Sequence, residues 1–240
     1  MASRTSPVDP ARRAVIRQGL SVAVATGLYG ISFGALGVAS GLSIWQTCVT
    51  SLLLFSGGSQ FALIGVLGGG GGVGAAIAAS SLLGVRNTLY GLQLTPTMAP
   101  RGLWRIPVAQ FTIDESTAVA IAQDDTATRR LGFWVTGVGI YVGWNVMTLV
   151  GALVGDAIGD PKQYGLDAAA SGAFLALLWP RLRKREPVAV AITAAVVAAA
   201  LVPVVPVGIP VIAAAVVAVV FGLFTRSRVP DEQKPDGTPV

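Results

Sequence analysis

Apolar residues dominate the chain in long runs that no charge interrupts. From Gln18 to Val85 there are 68 consecutive residues without a formal charge, and shorter charge-free runs cover Leu131–Gly155 and 187–225. Each exceeds the roughly 20 helical residues needed to cross a hydrocarbon core. Punctuation by glycine, proline and small polar residues divides the runs into helices. A first span is predicted over Ile16–Ala39, closed by Ser40-Gly41-Leu42-Ser43, and a second over Ile44–Leu67. Glycines 68–72 mark a turn, since consecutive glycines carry a high backbone entropy cost in a helix. A third span is expected over Ala75–Leu94, then an interfacial loop from Pro96 to Pro107 anchored by Trp104. Val108–Gln123 is a shorter fourth segment that either spans or re-enters. Leu131–Val154 and Tyr164–Trp179 follow. The last charge-free run would make a helix of about 58 Å, too long for one crossing. Pro203, Pro206, Gly208 and Pro210 therefore predict a turn between two short spans.

The pattern specifies an all-α polytopic membrane protein with about eight helices, or seven if the fourth segment is re-entrant, some of them short or broken. Residues 1–14 form a tail, 15–225 the transmembrane domain and 226–240 a second tail, expected to be disordered. Composition agrees: 53% of residues are hydrophobic and 12% charged, far below the quarter typical of soluble domains. The net charge of +5 comes from arginines clustered beside apolar runs, which reads as membrane topology rather than nucleic-acid binding. Arg4, Arg12, Arg13 and Arg17 place the amino terminus in the cytoplasm. Eight crossings put Arg129, Arg130, Arg181, Arg183, Lys184, Arg185, Arg226 and Arg228 there too, and leave only Arg101 and Arg105 on the wrong side. With no histidine and one cysteine, Cys48, the chain offers no His- or Cys-ligated zinc site, no Ser-His-Asp triad and no internal disulfide. No metal or other cofactor is expected, and no phosphate-binding glycine loop with its lysine points to ATP.

Gly27, Gly30, Gly34, Gly37 and Gly41 recur at intervals of three and four, so they share one helical face, a stripe that reads as a helix-packing surface before it reads as a substrate site. Gly139, Gly143, Gly151 and Gly155 repeat the spacing. Ser56-Gly57-Gly58-Ser59-Gln60 interrupts the second span. Two readings stand: a helix break whose freed backbone groups line a cavity, or a continuous helix with serines bonded back to their own carbonyls. Arg86 in the third span is expensive at about 2.5–3.5 kcal/mol near mid-bilayer, so it needs a partner or a task. Tyr90 and Gln93 share its face; Ser80, Gly84, Asn87 and Gly91 make a small or polar face beside it. Gln110, Asp114 and Thr117 form a stripe on the fourth segment, with Glu115 about 100° away. A pure staple needs one acid for one arginine, and the surplus acid argues for function. A zwitterionic amino acid needs a cation for its carboxylate, an acid or carbonyls for its ammonium and apolar walls for an apolar side chain. The chain supplies all three, and an acid in surplus negative company can also carry a proton.

Arg17-Gln18-Gly19, Gly30-Ile31-Ser32-Phe33-Gly34, Gly41-Leu42-Ser43, Ser56-Gly57-Gly58-Ser59-Gln60-Phe61-Ala62, Arg86-Asn87-Thr88-Leu89-Tyr90-Gly91 and Asp114-Glu115-Ser116-Thr117 together resemble the AzlC-type branched-chain amino acid permeases over roughly residues 12–225. The resemblance implies proton-driven export of leucine, isoleucine, valine and methionine across a bacterial cytoplasmic membrane, with a small AzlD-type membrane partner and no enzymatic activity. Arg86, Asn87, Tyr90, Asp114, Glu115 and Ser56 to Gln60 are the candidate substrate and coupling residues. Gly84 and Asn87 stand where the family often has asparagine and histidine, which moves proton work to Asp114 or Glu115. Competing readings are a channel or carrier for another small solute and a structural subunit with a stapling Arg–acid pair. An intramembrane protease is a remoter one: Gly155-Asp156 and Gly159-Asp160 match its Gly-Asp only superficially, in what reads as a loop.

Overall fold

The structure is a computed structural model and describes residues 9–158, 175, 178, 179, 182, 183, 185–206 and 208–226. The expected span at 164–179 lies mostly outside these residues. So do Gly159 and Asp160, most of both tails, and Arg4, Arg181, Lys184 and Arg228. Every regular element among the described residues is helical. The chain divides into two compact units, Met1–Phe174 and Leu175–Val240.

In the first unit, α1 (Pro10–Leu28) opens with proline in its first turn and the Asp9 carboxylate accepting from the Ala11 amide at 3.1 Å, a pre-set start that extends the helix six residues before the predicted Ile16. Tyr29 keeps a helical backbone and passes the chain almost straight into α2 (Gly30–Ala39). Together they make a 30-residue apolar segment long enough to cross a membrane. α2 stops at Ser40. Gly41 follows with φ +90°, and the Gly41 and Leu42 amides bond back to the Val38 and Gly37 carbonyls, a helix-ending motif that requires the left-handed conformation glycine adopts. Gly41 is therefore a cap and leaves the packing stripe proposed for it.

α3 (Ile44–Leu53) begins with reciprocal bonds between Ser43 and Gln46. α4 (Gly57–Gly68), α5 (Val73–Met98), a 3₁₀ turn at Gly102–Trp104, α6 (Arg105–Phe111), α7 (Asp114–Ile121) and α8 (Thr126–Ile158) complete the unit. Two expectations fail here. α5 runs through Pro96 to Met98, where Ala99 turns it with φ 43°, so the Pro96–Pro107 loop shrinks to a few residues with Trp104 exposed. Val108–Gln123 is not one helix but the end of α6 and the whole of α7. Asp156, expected in a loop, lies in the last turn of α8.

α8 is the post against which α1, α2, α3 and α7 pack, and glycines on both sides set the distance. A methyl added to Gly27 would sit 3.2 Å from the Gly143 Cα, and one on Gly155 3.0 Å from the Ala35 Cα. On Gly30, Gly34 and Gly151 it would run into the carbonyls of Trp144, Thr148 and Ile31. Gly139 faces the Ala23 methyl, while Gly37 turns to the Thr47 side chain of α3. Two glycine-lined helices thus approach backbone to backbone, which gains dispersion contact where burial from water gives no drive.

Asp125 caps α8: its carboxylate accepts from the Ala127 and Thr128 amides at 2.9 and 3.0 Å and from the Thr128 hydroxyl. The Thr128 hydroxyl first, then these amides, hold its pKa below the usual carboxylate range. A group with a lowered folded pKa stabilises above its unfolded pKa, about 3.9, and loses that contribution as pH falls through the folded value. The melting temperature of the Asp125→Ala protein should accordingly lie below that of wild type at pH 7, with the gap closing as pH drops below about 4. A gap independent of pH would remove the cap from this account.

The second unit contains α9 (Arg185–Leu201) and α10 (Ile209–Arg226), an antiparallel pair joined through Val202–Gly208. Pro203 and Pro206 lie in the turn and Gly208 takes φ +99°, where the composition placed it, while Pro210, expected in the turn, sits in the first turn of α10, where a missing amide hydrogen costs no helix bond.

Candidate functional site

Two helix breaks face each other in the first unit. α3 ends as the Leu54 amide bonds the Thr50 carbonyl. Ser56 N–H then reaches back two residues to the Leu54 carbonyl at 2.8 Å, and α4 begins with the Gln60 amide on the Ser56 carbonyl. The break is therefore Leu54–Ser56, one turn earlier than predicted, and Gly57-Gly58-Ser59-Gln60 form the first turn of α4. Between α6 and α7 the chain repeats the device: Ile113 N–H bonds the Phe111 carbonyl at 3.1 Å, and Thr117 N–H bonds that of Ile113. Gln110 ends up on α6 and Asp114 at the first position of α7, so the predicted stripe of Gln110, Asp114 and Thr117 does not exist as one helical face.

Breaks inside a membrane free carbonyls and amides that have no water to bond. Side chains take up the carbonyls here. Gln60 Nε2 donates to the Ser51 carbonyl at 3.3 Å; Gln110 Nε2 and Tyr141 Oη both donate to that of Leu52, at 2.9 and 3.3 Å. In the second break Thr112 Oγ1 donates to the Val108 carbonyl and Ser116 Oγ to the Phe111 carbonyl, each at 2.6 Å. Phe55, Phe111 and Tyr141 pack edge to face with centroids 5.0–6.3 Å apart and seal the junction. The Gln110 bond ties one break to the other.

Arg86 comes from the middle of α5 and meets both. Its Nη1 lies 2.8 Å from Asp114 Oδ2. Its Nη2 occupies the space a methyl on Gly58 would need, 2.6 Å from that position. Glycine at 58 lets the guanidinium lie against the amide end of α4. Asp114 sits at the start of α7, where the helix dipole favours a carboxylate. The pair keeps 28% and 29% of its side-chain surface exposed in the chain by itself. Glu115 and Tyr90 are half-buried on α7 and α5.

A cavity of about 510 Å³ opens beside the first break, lined among others by Phe55, Ser56, Ser59, Asn87, Ala109 and Gln110. Arg86 is not in its wall, but Gly58, which it touches, lies between the lining residues Ser56 and Ser59, and Asn87 is its neighbour on α5. The structure thus brings together Ser56, Gly57, Gly58, Ser59, Arg86, Asn87 and Asp114. Gln60 faces the protein interior, fully buried, its Oε1 without a hydrogen-bond partner among the described residues. Gly27, Gly30, Gly34 and Gly37 lie at helix contacts.

Sequence reasoning missed Tyr141 and Trp144. The Trp144 ring rests 3.4 Å from the methyl position of Gly57 and stacks on Phe33, flooring the start of α4. It also missed the second break, whose one sign was Asp114 and Glu115 directly after the β-branched pair Thr112-Ile113. Among the described residues no cluster of three His, Cys, Asp or Glu side chains could hold a metal.

The AzlC protein family matches residues 21–158, from the middle of α1 to the end of α8 and so both breaks, Arg86 and Asp114. The match is shorter than the 12–225 expected and stops before α9 and α10. No curated protein and no solved structure matches the chain. A family match over more than half the chain, in an all-helical fold with two long apolar helices, makes this protein a member of the AzlC family, membrane proteins of branched-chain amino acid transport.

Proposed function

We propose that the chain is a secondary active transporter that exports leucine, isoleucine, valine or methionine across a bacterial cytoplasmic membrane. It would be driven by the proton gradient and assisted by a small AzlD-type subunit, with residues 15–225 as the transport domain and the amino terminus cytoplasmic. The observation that carries this reading is the Arg86–Asp114 pair seated on Gly58 at the amide end of a broken helix, beside a cavity of about 510 Å³. That volume falls in the range of about 300–1,000 Å³ typical of small-molecule sites. A cation and an acid 2.8 Å apart are the two charges that an amino acid brings in reverse. Arg86 takes the substrate carboxylate with help from the amide end of α4, and Asp114 takes the ammonium. The mostly apolar wall at Leu53, Leu54, Phe55 and Ile106 accepts the side chain. A proton and an ammonium compete for the same Asp114 carboxylate, and competition for one site is the simplest coupling that moves the two in opposite directions.

Labelled leucine in proteoliposomes, with a pH gradient imposed in either direction and the partner present or absent, tests the reading. Leucine should move against the proton gradient, with isoleucine, valine and methionine competing and lysine not. Flux blind to the gradient would indicate a channel, and no flux with the partner present would return the pair to a structural role.

A further inference from the structure

A second cavity of about 370 Å³ lies along the other half of α5. The first cavity touches α5 at Ser80, Ser81, Gly84 and Asn87; the second touches it at Asn87, Thr88, Gly91, Leu92 and Thr95. Ser80, Gly84, Asn87, Gly91 and Thr95 follow one another at intervals of three or four and so share a face of the helix. Only Asn87 and Ala109 belong to both walls. From Ser80 to Thr95 the helix rises about 22 Å, most of a hydrocarbon core of about 30 Å, and Asn87 stands near the midpoint. Thr88, Thr95, Arg105 and Thr112 contribute polar groups to the wall of the second cavity. Asn87 Oδ1 is buried and has no hydrogen-bond partner among the described residues. A buried acceptor left so is costly, and it finds partners either by turning its side chain or by meeting a donor that passes.

We propose that the two cavities are successive chambers of a single path along α5, that Asn87 is the gate between them, and that Arg105 in the second chamber receives the carboxylate of an amino acid there. The proposal rests on the amino-acid transport reading for its ligand, but not for its chambers. Small residues at 80, 84 and 91 leave the width, Ala109 gives way opposite the gate, and the Asn87 amide accepts from the ammonium as the substrate passes. Arg105 also explains itself this way: an arginine that breaks the charge pattern of the topology has a reason to be where it is.

The chain has one cysteine, Cys48, which makes a thiol-accessibility test direct. In Cys48→Ser protein reconstituted with its partner, Ser81→Cys reports on the first chamber and Thr95→Cys on the second. A membrane-impermeant thiol reagent should modify the two from opposite sides, and leucine should slow both. Asn87→Leu should leave both labelling rates intact while cutting leucine flux at least tenfold, and Asn87→Ser, small and polar, should retain flux. Arg105→Gln should raise the half-saturating leucine concentration severalfold on its own side only. Labelling of both cysteines from one side, or full flux in Asn87→Leu, overturns the proposal. Absence of leucine flux in the parent protein overturns the transport reading instead, while labelling from opposite sides would still uphold the chambers.

Discussion

Arg86→Ala is expected to lower leucine flux by at least about tenfold, the equivalent of ~1.4 kcal/mol. The same substitution removes from Asp114 the guanidinium that lies 2.8 Å away. Losing a charged hydrogen-bonding partner costs about 1.5–3 kcal/mol, and the accessibility of both side chains puts the expected loss of stability at the low end. Asp114→Asn should cost flux likewise. The informative protein is the double variant Arg86→Gln with Asp114→Asn. It keeps the shapes and removes both charges, so it should recover most of the melting temperature lost by either single variant, since no charge is then left without its neighbour. It should not recover flux. A pair that only staples helices predicts recovery of both, and flux restored in the double variant would retire the site. Gly58→Ala approaches the same point from the other helix: its methyl displaces the guanidinium from the amide end of α4 and should weaken leucine binding with Arg86 and Asp114 both present.

The largest effect on folding is expected at the α2–α8 contact. Gly34→Val and Gly151→Val each drive a branched side chain into a carbonyl of the facing helix, Thr148 and Ile31 respectively. Overpacking of a tight core costs about 1–3 kcal/mol when the neighbours are side chains that can turn, and more here because the neighbour is backbone. Both variants should fail to give a monodisperse protein in detergent at room temperature. Gly74→Ala is the control: nothing lies within 4 Å of its methyl position in the first turn of α5, so it should be neutral or raise the melting temperature slightly. Thermal unfolding followed by size-exclusion chromatography separates the cases. If Gly34→Val melted with the control, the glycine stripe would not be what holds α2 to α8.

Which features the residues announced depended on whether a signal was local. The glycine stripe could be read because its period is the helix period, and its members from Gly27 to Gly37 do lie at helix contacts. Gly41 shared the period but belonged to an ending, since Ser40 and Leu42 complete a cap that spacing alone does not distinguish from a fifth contact. The first break carried serines and glycines, yet fell one turn early, because Gly57 and Gly58 serve close approach by Trp144 and Arg86 while still helical. The second break had neither glycine nor proline. Its backbone is satisfied by Thr112 and Ser116, ordinary helix residues whose task appears only when the chain is folded. Arg86 and Asp114 were legible as opposite charges in a span, 28 residues apart, because few ionisable groups are affordable there. That the guanidinium would also lie on Gly58 was not, for this contact joins helices with no sequence relation.

The Leu52 carbonyl, which accepts from Gln110 and from Tyr141, joins three helices at one oxygen. Straightening α3 into α4 would hand that carbonyl to an amide of its own helix and evict both side chains, losing contacts to α6 and α8 together. The bend therefore behaves as a fixed fulcrum rather than a spring. If the transporter exposes its site alternately to the two sides of the membrane, the elbow itself stays rigid and the lever arms around it turn, with α5 the arm that carries Arg86.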